Sequence, residues 1–385
     1  MQRGLTGELI KITSNPEEVR AFMPRLLPPQ PALNFNPRRQ KLLERATLSL
    51  GRLDSITLLL PDPDIFLYAY VRREAVLSSQ IEGTQSSLSD LFIFELDGKA
   101  SAPIDDVTEV SNYVSALNYG IEKLANGFPL SNRLLKEMHE ILLSHGRGSD
   151  KQPGEFRMSQ NWIGGTRPGN AHYVPPPPQA VTQAMSDLER FIHDEEQPYS
   201  TLIKAALAHV QFETIHPFLD GNGRLGRMLI SFILHHDGQL RRPLLYLSLY
   251  FKQHRDRYYE LLDTVRMEGD WEAWIDFFLE GVEQTANNAV KTARTLVALF
   301  RQDEERLQLQ GRRAGTVLRV FQAFCQRPVQ SVTDAKSFSG LSYPAAANAM
   351  ETLEKLQIVK EITGRKRNKL YMYTQYVSAL NEGAG

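Results

Sequence analysis

The 385-residue chain has one cysteine, Cys325, so no disulfide can form within it. That cysteine closes the apolar run Val320-Phe321-Gln322-Ala323-Phe324-Cys325, which reads it as a small core residue and not as a nucleophile. Long hydrophobic stretches are missing too. Runs such as Met228 to Leu234, interrupted by Ser231, fall far short of a bilayer-spanning helix. The N-terminus, Met1-Gln-Arg-Gly-Leu-Thr-Gly-Glu, has no apolar signal core. Net charge is nearly absent, at −1 from 44 basic and 45 acidic residues, so nothing global draws the chain to nucleic acid or to an anionic membrane. There is no internal repeat and no low-complexity tract. These absences lead us to expect a soluble cytoplasmic protein with no membrane partner. What remains is ordinary globular composition, 42% hydrophobic and 23% charged, over a length that accommodates two or three domains.

The chemistry is concentrated in one stretch, His216-Pro-Phe-Leu-Asp-Gly-Asn-Gly-Arg-Leu-Gly-Arg227. Before it, Ser200 to Ile215 reads as a helix with Leu202, Ala206 and Val210 on one face. His216 precedes a proline, which disfavours the α region and stops that helix. After it, the apolar run from Met228 to His236 reads as a second helix, ended by Asp237-Gly238. Gly221-Asn222-Gly223 therefore opens the second helix, where unpaired N–H groups and the positive end of the dipole attract anions. Arg224 and Arg227 point to a polyphosphate, because a guanidinium pairs phosphate oxygens bidentately. Asp220 has the hard oxygen that Mg²⁺ prefers. His216 is the group whose pKa suits a base near neutral pH. The competing view is a plain glycine turn between two core helices with solvated arginines. It must treat the meeting of His, Asp, Asn and two Arg on one turn as accidental.

This stretch resembles the signature of the Fic family, His-x-Phe-x-Asp/Glu-Gly-Asn-Gly-Arg-x-x-Arg, at every specified position. The resemblance implies transfer of AMP from ATP, with Mg²⁺, to serine, threonine or tyrosine hydroxyls of proteins. Self-modification and a homodimer are implied with it. His216 would be the base, Asp220 the metal-orienting residue, and Gly221, Asn222, Gly223, Arg224, Leu225, Gly226 and Arg227 the ATP cradle. Ser78-Ser-Gln-Ile-Glu82-Gly83 resembles the family's inhibitory Ser/Thr-x-x-x-Glu-Gly/Asn helix, with Ser78 and Glu82 four apart on one face. A glutamate paired with Arg227 would neutralise the guanidinium meant for the γ-phosphate. Pro153-Gly-Glu-Phe-Arg157 through Tyr173-Val-Pro-Pro176 resembles the segment with the flap that positions the target. In Tyr246 to Arg255, His254 stands where relatives often have asparagine, at a position expected near the nucleotide.

The expected fold is mainly α: a helical Fic core with a small β-hairpin flap, plus a C-terminal winged helix-turn-helix. The expected divisions are 1–100 for an N-terminal arm and helical region, 101–300 for the catalytic core, 301–312 for a connector and 313–385 for the winged helix. Residues 22–38 are proline-rich and read as an extended arm over a surface. Helical spacing follows over Arg39–Leu59, Asp64–Phe94, Asp105–Leu124 and Ser131–Ser144, with Ser131 as an N-cap. Asn161-Trp-Ile163 and Ala171-His-Tyr-Val174 suggest the flap strands. Arg301 to Arg313 is charged and suits an exposed connector. Beyond it, three helical stretches and a hairpin at Gly364 make the winged helix, whose Arg365, Lys366, Arg367 and Lys369 form a local basic patch for DNA or for a protein surface. Two other functions fit the same residues: removal of AMP from modified proteins, with Glu82 aligning a water, and a DNA-binding regulator with a nucleotide-sensing core.

Overall fold

The computed structural model describes residues 2–14, 17–59, 62–99 and 102–383. In chain order its elements are β1 (Gly7–Ser14), β2 (Glu17–Pro24), α1 (Pro37–Leu59), α2 (Pro63–Ile81), α3 (Leu88–Asp97), α4 (Ile104–Ala125), α5 (Asn132–Leu142), α6 (Pro178–His193), α7 (Thr201–Ile215), α8 (Asn222–His236), α9 (Ser248–Gln253), α10 (Arg255–Glu268), α11 (Trp271–Gln308), α12 (Ala314–Gln326), β3 (Val329–Ser331), α13 (Val332–Ser339), α14 (Tyr343–Lys355), β4 (Lys360–Glu361), β5 (Leu370–Met372) and α15 (Thr374–Asn381). Helix predominates, beside two small antiparallel sheets ordered β1-β2 and β3-β5-β4. Among the described residues no helix is long and apolar enough to cross a membrane. Packing divides the chain into two compact units that do not follow sequential boundaries. One comprises residues 1–54, 81–83 and 112–286; the other comprises 55–80, 84–111 and 287–385.

The first unit is built round α7. Every residue from Leu202 to Ile215 is buried, so the helix needs neighbours on all sides. α6, α8, α10 and β2 supply them. Its polar groups are satisfied inside: Lys204 pairs with Asp237 at 2.6 Å and donates to the Ile192 carbonyl at 3.0 Å. The indole of Trp274, on α11, donates to the Ala206 carbonyl at 2.9 Å. Ser131 caps α5 by accepting from the Leu134 N–H. Residues 25–36 form the extended arm, held where Leu33 N–H donates to the Tyr199 hydroxyl at 3.1 Å and Asn34 N–H to Glu272 at 2.9 Å. Ahead of the arm lies a hairpin not anticipated from the sequence, with β1 and β2 in register from Gly7 opposite Pro24 to Ser14 opposite Glu17.

Two expectations are corrected. The helical spacing over Asp64–Phe94 belongs to two helices, because Gly83 takes φ 105° and Ser87 starts α3 with a capping box to Asp90. Glu82 therefore sits in the turn after α2, not on a helix. The charged stretch from Arg301, expected as an exposed connector after the helices, is itself helical: α11 continues through it to Gln308. Arg301–Glu305 and Asp303–Arg306 pairs lie at helical spacing there, and strong helix formers prolong the helix.

In the second unit, α12, α13 and α14 are followed by β4 and β5, and β3 adds a third strand that the sequence reading lacked. Ser331 caps α13 through a capping box with Asp334, and Ser342 caps α14. Tyr373 is buried against Phe300 and Phe321, and its hydroxyl donates to Asp303 at 2.6 Å. Cys325 is buried, which pushes its thiol far above the usual range. Of the four basic residues near Gly364, Arg365 is paired with Asp97 at 2.7 Å, while Lys366, Arg367 and Lys369 are exposed.

Candidate active site

His216 is placed by the way α7 ends. The residue turns into the left-handed region (φ 49°, ψ 62°) while its N–H still bonds the Phe212 carbonyl at 2.9 Å, a conformation rare outside glycine. Arg157 fixes that turn. It is 1% exposed; its Nε donates to the His216 carbonyl at 2.9 Å and its backbone N–H to Pro217 at 2.9 Å. Burial, then the positive charges of Arg157 and Arg266, push the imidazole down to about 3. His216 is thus neutral at pH 7 and able to accept a proton.

The loop that follows is clipped shut by Asn222. Its Oδ1 accepts from the Phe218 N–H and its Nδ2 donates to the Phe218 carbonyl, both at 2.9 Å. The Asn222 side chain therefore shapes the turn, and the start of α8 is where a helix leaves backbone N–H groups without helical partners. Gly221 takes φ 75° and donates to Asp220 Oδ1 at 2.6 Å. Beneath it, His139 accepts the Gly154 N–H at Nδ1 (2.9 Å), so its proton is on Nε2 and is donated to the Asp220 carbonyl at 3.0 Å.

Arg224 and Arg227 are buried, at 1% and 4% exposure, so the view of solvated arginines fails. Arg227 Nη2 meets Glu82 Oε1 at 2.8 Å. Burial opposes the Glu82 charge, but Arg227, Arg224 and His216 outweigh it and hold the carboxyl below its ordinary value. The pair is ionised at neutral pH. Gly223 makes room for it, since any side chain there would run into the Glu82 carboxylate. A cavity of about 510 Å³ is lined by Glu82, Trp162, Tyr173, His216, Gly223 and Arg227, among others.

The flap forms one rim. Ile163 and Tyr173 make a single antiparallel bridge, shorter than a regular hairpin. Tyr173 anchors it: the hydroxyl donates to the Thr214 carbonyl at 2.7 Å, and the Arg266 guanidinium lies 4.1 Å from the ring centroid. Of the expected site residues, Glu82, His216, Gly223 and Arg227 line this cavity, while Asp220, Gly221, Asn222, Arg224, Leu225, Gly226, Ser78 and His254 are not among its lining residues. Ser78 is fully buried in α2, and His254 is exposed beside the Tyr250 ring. Among the described residues no three His, Cys, Asp or Glu side chains converge as a metal site. The single carboxylate of Asp220, 33% exposed, fits a Mg²⁺ that completes its shell from water and substrate phosphates.

His139 and Glu213 were not singled out from the sequence and nothing local marks them, while Arg157 appeared only within the Pro153–Arg157 segment that resembles the family's. Two buried histidines have a measurable consequence. Burial pushes His139 down to about 4 and His209 down to about 3, from 6.5. His209 donates from Nδ1 to the Gly226 carbonyl and accepts the Tyr258 hydroxyl at Nε2, both at 2.9 Å. Below the ordinary histidine pKa the unfolded chain takes up protons that the native state refuses, so stability falls as pH drops toward these values. Each histidine should cost about 2 kcal/mol at pH 5 relative to pH 8. Urea unfolding at the two pH values checks this, and a histidine contribution absent from the His209→Gln difference would refute it.

With this geometry in place, comparison with known proteins is direct. The model of the Fic/DOC family matches residues 129–234, which include the whole His216–Arg227 stretch, and that of the Fic/DOC family N-terminal region matches 40–122. The chain carries a Fic domain. It is 32% identical over 193 residues to the protein adenylyltransferase Fic of Drosophila yakuba, covering 49% of this chain and 35% of that protein. To the Aedes aegypti protein of the same name it is 28% identical over 281 residues, covering 71% and 52%. The chain thus spans only about a third to a half of the length of these curated relatives. The fold is shared with a Fic family protein from Desulfovibrio desulfuricans G20, at TM-score 0.57 and 21% identity, over 90% of this chain and 98% of that one. It is also shared with Fic-1 (residues 134–508) of C. elegans, at TM-score 0.54 and 21% identity, over 67% and 73%.

Proposed function

We propose that this protein transfers AMP from ATP to hydroxyl groups of proteins, itself included, and that Glu82 restrains the reaction. The observation that carries the reading is the Glu82–Arg227 ion pair in the same cavity as a neutral His216. ATP lies with its phosphates over the turn from Gly221 to Arg227. Backbone N–H groups of Asn222 and Gly223 meet phosphate oxygens, and Arg224 and Arg227 balance the β- and γ-phosphate charge. Asp220 would hold Mg²⁺, which when bound neutralises phosphate charge. His216 takes the proton of the target hydroxyl as its oxygen bonds to the α-phosphorus. The bond from that phosphorus to the bridging oxygen breaks, and pyrophosphate leaves. Positioning and charge balance are what such a displacement requires. Glu82 restrains it by occupying Arg227, so that the γ-phosphate is turned away and the α-phosphorus is out of line.

The test is incorporation of label from α-labelled ATP with Mg²⁺ in the wild type and in Glu82→Gly and His216→Ala variants. A folded, ATP-binding Glu82→Gly protein that incorporates no label would refute the reading.

We read residues 314–381 as a winged helix with Lys366, Arg367 and Lys369 exposed on its hairpin. Retention of duplex DNA at low salt, lost steeply by about 200 mM, is the expected behaviour of a phosphate-contacting wing. A gel shift with the full chain checks this, because these residues pack in one unit with 55–80 and 84–111. No retention at low salt would leave the wing as a protein-facing surface.

A further inference from the structure

Arg227 is almost fully buried, and Glu82 meets its charge. A buried cation stripped of its counter-charge is strongly unfavourable. Yet the proposed reaction needs Glu82 to withdraw before an anion can enter. A second carboxylate lies in the same cavity. Glu213, on α7, is 6% exposed and lines the cavity with Arg227, and its Oε1 has no hydrogen-bond partner among the described residues. That oxygen lies against α8 at Gly226, the neighbour of Arg227, where any side chain would run into it. Gly223 admits Glu82 to the same helix in the same way. Two carboxylates, one from α7 and one from the turn after α2, therefore approach α8 over two glycines, and both line the cavity that Arg227 lines.

We propose that Glu213 is the reserve counter-ion of Arg227, taking over its charge between the departure of Glu82 and the entry of an anion. The groups facing it are Arg227 on α8, Glu82 after α2, and Arg266, Tyr258 and Tyr259 on α10. Burial raises the Glu213 carboxyl to about 7; Glu82 adds to the rise, while Arg227 and Arg266 oppose it. With Glu82 in place the acid keeps its proton for part of the time at neutral pH, which limits over-compensation of the guanidinium. When Glu82 leaves, one upward influence goes and both cations stay. Glu213 then loses its proton to water in the cavity and becomes the partner of Arg227. When a polyphosphate arrives, its charge reverses the change. Glu213 is a positioning residue and touches no substrate. The inference rests on the proposed nucleotide reading only for the identity of the entering anion.

Charge can be removed at constant volume, which makes the test direct. Thermal unfolding of the full chain at pH 7.5 is compared for wild type, Glu82→Gln, Glu213→Gln and the double variant. Each single change is expected to lower the midpoint by no more than about 2 °C, and the double change by about 10 °C. Inorganic tripolyphosphate, without metal, should restore most of the loss in the double variant. Glu82→Gln/Glu213→Asp, which keeps a carboxylate, should unfold near the single variants, and this holds even if the double-glutamine protein cannot be isolated. A double shift equal to the sum of the singles overturns the proposal. So does a large loss from Glu213→Gln alone, or equal loss with Gln and Asp. Coupling without rescue by tripolyphosphate would support the reserve counter-ion and overturn the phosphate reading of the site.

Discussion

Replacing Glu82 with glycine is expected to raise AMP incorporation from α-labelled ATP about a hundredfold, because a reacting centre displaced by about 1 Å loses rate on that scale. The cause is local. Glu82 Oε1 holds Arg227 Nη2 at 2.8 Å, and in the proposed reading its charge lies where the end of a triphosphate would go. Removing the side chain returns the guanidinium to phosphate and clears space over Gly223. Glu82→Gln separates charge from shape. It removes the ion pair but leaves the bulk over Gly223, and should release only part of the activity. Initial rates at saturating ATP and Mg²⁺ measure both. Equal labelling in wild type and Glu82→Gly would mean that the ion pair is a structural bridge.

His216→Ala, made in the Glu82→Gly background so that there is signal to lose, should lower the rate by about a hundred- to ten-thousandfold, the usual worth of a general base. The pH dependence is more specific. Burial, Arg157 and Arg266 hold His216 down at about 3, and Glu82 pushes the other way. Its removal cannot bring the imidazole back up. The acid limb of kcat/KM, which reports groups in the free enzyme, should therefore lie below about pH 5 and not near 6.5. Rates measured from pH 4.5 to 8 decide it. A limb near 6.5 would show that His216 becomes solvated once Glu82 is gone.

Much of this site could be read from the residues because it is local in the chain. A proline after His216, glycines at 221 and 223 and arginines at 224 and 227 specify a helix end, a turn and an anion-binding helix start within twelve positions. The pairing of Glu82 with Arg227 was reachable only through the family's inhibitory motif, since the two stand 145 residues apart. His139 and Glu213 had no such marker, and Arg157 was marked only as part of the segment that leads into the flap. Each is a common residue on an ordinary helix or loop, and its role comes from what long-range packing brings against it. The β1–β2 hairpin had a signal in the alternation Leu9, Lys11, Thr13 and in the β-branched Ile10, Ile12 and Val19, but no functional motif drew attention to it. The helical course of Arg301–Gln308 was obscured by reading charge as exposure and exposure as irregularity. Charged residues at i,i+3 and i,i+4 are as much a helix signal as apolar ones.

The N-terminal hairpin does more than precede the helices. Phe22 N–H donates to the Val174 carbonyl at 2.9 Å, and Val19 and Ala21 pack on Val174, so β2 braces the strand that brings the flap back to the core. The match to the Fic/DOC family N-terminal model starts at residue 40. A fragment trimmed to the matched stretch would keep the His216–Arg227 turn yet lose the flap's footing. The matched stretch and the braced flap therefore have different boundaries, because the strand that holds Val174 lies ahead of residue 40.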